Sequence, residues 1–267
     1  MSPQLSTWDT GTRKGLFSIG THSLYLTGAG PYRETINGRR QPAVIIEAGL
    51  SSGHLEWVAV SRLISERARV YTYDRAGYGR SEPSPSKELT AQNRVEDLHQ
   101  LLYMAGIEPP YVLVGHSYGG VLVREFLRQH REEVAGMVIA IVGLEENHVM
   151  SPEEYAEINA DEEHNMPTTK VELDSILEST ELVNRELPEG AQVMGDNRLS
   201  VIFANESIDF GKIYDYAVKH GTGTEEARER LRSRFVYAQG KAKTHNLQYV
   251  APEVIRDEVF WVLGLTD

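Results

Sequence analysis

The chain has 267 residues, enough for one domain with a full core, and it has no cysteine, which removes disulfides, thiolate–zinc sites and a cysteine nucleophile together. Its 27 basic and 39 acidic residues leave a net charge of −12, which argues against nucleic acid or anionic membrane as a partner. Fifteen acids against two basic residues, Lys170 and Arg185, fall between Glu145 and Asp196, so a nearly neutral scaffold carries an acidic insertion whose carboxylates read as solvated outer helix faces.

Residues 1–9 lack the basic and apolar regions of a secretory leader, and no apolar run is long enough for a bilayer, so a soluble, cytoplasmic protein is expected. Residues 16–26 alternate around Gly20 and predict an antiparallel hairpin. Residues 43–47 form a short apolar strand delivering the small-residue loop 48–53, which can aim a backbone N–H at a bound oxygen. A helix is predicted over 54–67, where Leu55, Val58, Leu63 and Ile64 recur near helical spacing and His54 reads as a surface or capping residue. The strand at 69–74 opens into Arg75-Ala76-Gly77-Tyr78-Gly79-Arg80-Ser81, whose glycines suit a tight turn beside a site. From Thr90, an N-cap, a helix packs through Val95, Leu98, Leu101 and Leu102 and stops at Gly106.

The organising stretch follows. Strand-forming residues 111–114 run into Gly115-His116-Ser117-Tyr118-Gly119-Gly120, and 121–127 has the composition of a buried helix. A G-x-S-x-G turn forces its serine into a strained conformation that lifts the hydroxyl above the sheet, and a Cβ at either flanking glycine would collide with a neighbouring element. Ser117 is therefore the candidate nucleophile, and His116 reads as a packing residue. Strand and helix alternate from Ala43 onward, so the sheet is mainly parallel, with ligands at the carboxyl ends of its strands.

Residues 134–142 are apolar enough to be covered on both faces. Ser151-Pro152-Glu153-Glu154 is a capping box that starts one helix. A second, over about 168–187, presents Leu173, Ile176, Leu177, Val183 and Leu187 on one face, so the pair reads as a lid with its acids outward. Strands at 199–204 and 234–238, a loop carrying Thr244-His245-Asn246 and a closing helix over 252–263 bring His245 to the catalytic edge. The expected domains are a core of 1–142 and 199–267 and an acidic helical cap of 143–198. Glu162, Glu163 and His164 are adjacent and point apart on a helix, and Gly28-Ala29-Gly30 precedes no helix, so neither metal nor cofactor is expected.

With these segments in place the sequence resembles the α/β-hydrolase fold superfamily, and in detail the esterase-like hydrolases common in fungi. Three segments carry the resemblance: 115–120 as nucleophile elbow, Asp74 to Ser81 as the turn after the preceding strand, and His245-Asn246 before the closing helix. It implies an α/β class with a mainly parallel central sheet flanked by helices and a helical cap insertion. It also implies that Ser117 attacks a carbonyl, His245 removes and returns the proton, and the N–H groups of Leu50 and Tyr118 hold the oxyanion. The third triad member departs from the family pattern. Its two usual places fall on Ile141 and Ser207, neither an acid, and the segment after Ile141 looks shortened. Glu145 stands first as the substitute acid, with Asp209 the alternative and Glu206 behind it. Asp209 also suits a helix N-cap.

Two classes of function are carried forward. One is a cofactor-free serine hydrolase cleaving an ester, lactone or thioester of a small, fairly apolar molecule; a serine at the elbow disfavours the epoxide-hydrolase and dehalogenase chemistry that this fold performs with aspartate. The other is a decayed hydrolase that binds a small ligand without turnover.

Overall fold

The computed structural model describes residues 7–141, 152–187, 192–203, 215, 218–221, 224–225 and 247–265. The predicted hairpin is present: β1 (Arg13–Ser18) pairs antiparallel with β2 (Ser23–Ala29). A two-stranded ribbon, β3 (Thr35–Ile36) and β4 (Arg39–Arg40), precedes β5 (Ala43–Glu47). The main sheet continues with β6 (Val70–Tyr73), β7 (Tyr111–His116), β8 (Val134–Ile141) and β9 (Arg198–Phe203). Its seven described strands run in the order β1-β2-β6-β5-β7-β8-β9, parallel from β6 to β9, with β2 antiparallel to both neighbours.

Alternation along the inner strands divides the core between two faces. Ala43 and Ile45 of β5 join Leu113, Met137 and Ile139 under α2 (Ala91–Met104) and α3 (Tyr118–Gln129). Val44 and Ile46 join Val112, Val114 and Val138 under α1 (Val58–Ile64) and, after the short turn α5 (Leu247–Val250), the closing helix α6 (Pro252–Leu263). Each strand is thus covered on both sides, which is why these runs are apolar throughout. Thr90 caps α2 by accepting from Asn93 N, and Gly106 takes φ +66 just past its end. The region read as one helix over 54–67 divides into a 3-10 turn, His54–Trp57, followed by α1. Residues 234–238, expected as the last strand, and Ser151 of the capping box lie outside the described residues.

The cap differs from expectation in two ways. One helix, α4 (Pro152–Glu186), runs through Pro167 where two helices were expected. Proline removes one N–H from the helix, but residues on both sides of it are fastened to the core: Asn165 to Ser51 and Gly79, Thr168 to Gly77. The second difference is the face it buries. Leu173 and Leu177 are 50% and 70% exposed, whereas Asn165, Thr169, Glu172, Ser175 and Ser179 are buried beside Val183. This stripe keeps helical spacing but is polar, because it meets loop backbone and charged side chains rather than an apolar surface. Ser179 Oγ accepts from Ala91 N at the start of α2, and Ser175 Oγ donates to Leu89 O. The other acids of 164–187 are exposed as expected, with Glu172 the exception. Among the described residues no helix is long and apolar enough to cross a membrane.

Candidate active site

Strand order reverses around β5, whose two neighbours are β6 on one side and β7 on the other, and the carboxyl ends at such a point open a crevice. Ser117 stands there. It follows β7 and precedes α3 with φ 52 and ψ −121, a conformation that a non-glycine residue rarely adopts. Its N–H donates to Ala140 O of β8 at 2.9 Å, and its carbonyl accepts from Gly120 N at 2.9 Å, so the strain is held from both sides.

The flanking glycines are there for space. A Cβ on Gly115 would lie 2.6 Å from both Gly119 O and Val123 Cγ2. One on Gly119 would lie 2.7 Å from Ala48 O and closer still to Glu47 O. The helix can therefore start directly over β5, and Ser117 is left half-buried rather than covered. Tyr118 opens α3, where the first N–H groups have no helical acceptor. Gly49 lies against the elbow, its added Cβ falling 3.5 Å from Ser117 Cβ, and Leu50 follows it. Leu50, Val121 and cap residue Ile176 pack on Tyr118 and Leu122, an apolar patch beside the serine. Burial, with Glu172 adding to it, pushes the Tyr118 hydroxyl up to about 12, so it stays neutral. His116 is buried with its ring edge-on to Trp57, centroids 5.8 Å apart, in agreement with a packing role.

Of the expected site residues the structure thus brings together Ser117, Tyr118 and Leu50. His245, Glu145, Asp209 and Glu206 lie outside the described residues. Ile141, the first of the two places where the resemblance noted above leads one to expect an acid, is the last residue of β8. His54 is a correction: it is buried, not a surface residue, because its Nδ1 lies 2.8 Å and its N–H 2.8 Å from Asp74 Oδ1. Asp74 also accepts from Arg80 N at 3.1 Å, so one fully buried carboxylate ties the loop after β5 to the loop after β6.

The larger omission is an ionic network between cap and sheet. Arg75 uses all five of its N–H groups: Nε to Glu172 Oε1 at 3.2 Å, Nη1 to Glu47 Oε1 at 2.9 Å and Ala48 O at 2.7 Å, Nη2 to Gly49 O at 2.6 Å and Glu172 Oε2 at 3.1 Å. Glu172 also accepts from Arg94 Nε at 2.7 Å and Tyr78 OH at 2.5 Å, and Tyr73 OH donates to Glu47 at 2.6 Å. Two carboxylates and two guanidinium groups balance, as burial requires. Burial disfavours the Glu172 anion, but Arg75 and Arg94 outweigh it and hold its pKa below the ordinary value. At Glu47 burial wins over Arg75 and the Tyr73 hydroxyl, and the pKa is raised. An acid ending the otherwise apolar 43–47 strand was a readable signal of buried pairing. Glu172 was hidden among fifteen acids of one segment.

Among the described residues one group of side chains could hold a cation: His99, His130 and Glu133, with ligating atoms all within 4.8 Å. The imidazoles are stacked, centroids 3.8 Å apart and planes 9° from parallel. Their in-plane lone pairs therefore run side by side instead of converging, and one ring must turn before both can bind one ion. Glu133 precedes the start of β8, so the group sits at the opposite end of the sheet from Ser117.

A family model described as alpha/beta hydrolase fold matches residues 42–167. A probable transporter, efuK of Hormonema carpetanum, is 28% identical over 312 residues, covering 97% of this chain and 44% of that protein. An AB hydrolase superfamily protein of Gibberella zeae is 38% identical over 128 residues, 47% of this chain and 39% of its own length. The chain thus spans less than half the length of either. Among solved structures, a serine hydrolase, CCSP0084 of the polyaromatic hydrocarbon-degrading bacterium Cycloclasticus zankles, superposes with TM-score 0.60 at 15% identity, covering 96% of this chain and all of that one, 100%. At that identity the likeness concerns the fold alone.

Proposed function

We propose that this chain, which has an α/β-hydrolase superfamily fold, is a cofactor-free serine hydrolase that cleaves an ester, lactone or thioester of a small apolar molecule. The observation that carries the reading is the strained Ser117, φ 52, held between two glycines that admit no Cβ, at the crevice end of the sheet. Backbone strain of this kind persists where the surrounding structure over-determines it, and it concentrates at reacting residues.

In this reading His245 takes the Ser117 hydroxyl proton as Oγ bonds to the substrate carbonyl carbon. The carbonyl oxygen becomes an anion received by the Leu50 and Tyr118 N–H groups. Collapse breaks the bond to the leaving group, which takes the proton from His245. Water then adds to the acyl-enzyme by the same route and releases the acid and free Ser117. Glu145, or Asp209 in its place, orients His245. The patch formed by Leu50, Tyr118, Val121 and Ile176 supports an apolar acyl or leaving group.

A second reading, ligand binding without turnover, is favoured by one observation: the family acid position falls on Ile141 at the end of β8. Turnover separates the two. On short-chain p-nitrophenyl esters and an acyl thioester, wild type is expected to turn over, and Ser117→Ala and His245→Ala to lose about three decades or more in kcat. Folded wild type with no activity above Ser117→Ala selects the binding reading.

A further inference from the structure

Loop 48–53 is held by side chains at three of the carbonyls at its start. Arg75 donates to Ala48 O and Gly49 O, and Asn165 Nδ2 donates to Ser51 O at 2.8 Å. Ser51 itself has φ 61, and its N–H donates to Tyr78 OH at 3.4 Å. The bond to Gly49 O has a directional consequence. The carbonyl of Gly49 and the N–H of Leu50 belong to one planar trans peptide and point in opposite directions. Fixing that oxygen at 2.6 Å from Arg75 Nη2 therefore fixes the heading of the Leu50 N–H on the other side of the plane.

The guanidinium is itself over-determined, by Glu47 from β5 and by a two-point contact with Glu172 from the cap helix. Asn165, Thr169 and Glu172 all come from the buried stripe of α4, and Thr169 Oγ1 lies 3.3 Å from the Tyr78 hydroxyl. The cap and the start of loop 48–53 are parts of one hydrogen-bonded body.

We propose that Arg75 is a positioning residue that aims the Leu50 N–H at the developing oxyanion, and that Glu172 makes this aim depend on the docked cap helix. The proposal rests on the reading that Leu50 supplies an oxyanion donor to a Ser117 acyl transfer. A lysine cannot replace Arg75, since one ammonium cannot span two carbonyls and two carboxylates in the guanidinium plane. The cap then contributes to the transition state and not only to enclosing substrate, so its loss appears in kcat more than in KM.

The test uses Arg75→Lys, Glu172→Gln and, as a control, Arg33→Lys. Arg33 is an equally buried guanidinium, bonded to Asp9 and to Glu108 O away from the loop. Active sites are titrated with a fluorophosphonate, so that kcat is expressed per reactive Ser117 and unfolded molecules do not count. Arg75→Lys is expected to lose about 100-fold in kcat with KM changed by less than about threefold. Its affinity for a trifluoromethyl ketone, whose adduct carries the oxyanion, should fall by a similar factor. Glu172→Gln should move in the same direction by about tenfold, and Arg33→Lys should leave kcat per site unchanged. Arg75→Lys retaining wild-type kcat per labelled site, or Arg33→Lys losing as much, overturns the proposal while the hydrolase reading stands. Wild type whose Ser117 neither labels nor turns over ester overturns that reading, and the proposal with it.

Discussion

Gly119→Ala tests how tightly the elbow is built. The new methyl would lie 2.7 Å from Ala48 O and nearer to Glu47 O, both backbone atoms, where real Cβ contacts stay beyond 3.0 Å. Neither carbonyl can swing aside, since Glu47 belongs to the strand and Ala48 O is held by Arg75. The amino end of α3 must shift instead, by something on the order of 0.5–1 Å, and overpacking of this kind costs about 1–3 kcal/mol. A gain of about 0.5–1 kcal/mol from replacing a helical glycine offsets part of it. The net of about 0–2.5 kcal/mol, at roughly 2–4 °C per kcal/mol for a chain of this size, should lower melting by up to about 10 °C. Displacing Ser117 by that distance should lower ester kcat about 100-fold. Gly120→Ala is the matched comparison: its Cβ meets only Ile139 Cγ2, at 3.1 Å, a side-chain methyl that can give way. Its melting point should stay within about 2 °C of wild type. Thermal melting and ester turnover of both variants decide the matter, and a Gly119→Ala protein that melts and reacts like wild type, or is the milder of the two, refutes the reasoning.

On the cap helix, Val183→Ala should cost about 2 kcal/mol, because Val183 is fully buried, whereas Leu177→Gln should change stability by less than about 0.5 kcal/mol, because Leu177 is 70% exposed; denaturant titration reads both. Burial and the neighbouring His99 lower the pKa of His130 below 6.5. The unfolded chain then takes up this proton at a higher pH than the folded one, so stability is complete above pH 6.5 and declines as pH falls through and below it. His130→Gln should flatten that decline between pH 7.5 and 5.5 in melting experiments, and an unchanged slope would contradict the assignment.

Much of the core was legible because its physics is local. Apolar strands covered on both faces, an N-cap at Thr90 and the sterically demanding elbow each declare themselves within a few residues. The cap face was misread for a reason equally physical. Helical spacing of Leu173, Ile176 and Leu177 suggested an apolar contact, but the partner surface is made of loop carbonyls, Arg75 and Arg94, so the buried stripe is polar and two of those leucines face solvent. Such complementarity belongs to two segments almost one hundred residues apart, |i−j| = 97 for Arg75 and Glu172, and neither segment shows it alone. His54 was misread likewise: a histidine after a glycine-rich loop looks solvated until Asp74, twenty residues on, |i−j| = 20, is folded against it.

The most direct measurement is covalent. Intact mass and peptide mapping after reaction with a fluorophosphonate, for wild type and Ser117→Ala, should show one adduct on wild type, located on Ser117, and none on the variant. A folded wild-type protein that stays unmodified, or that is modified elsewhere while Ser117→Ala reacts equally, would contradict the assignment of Ser117 as the nucleophile.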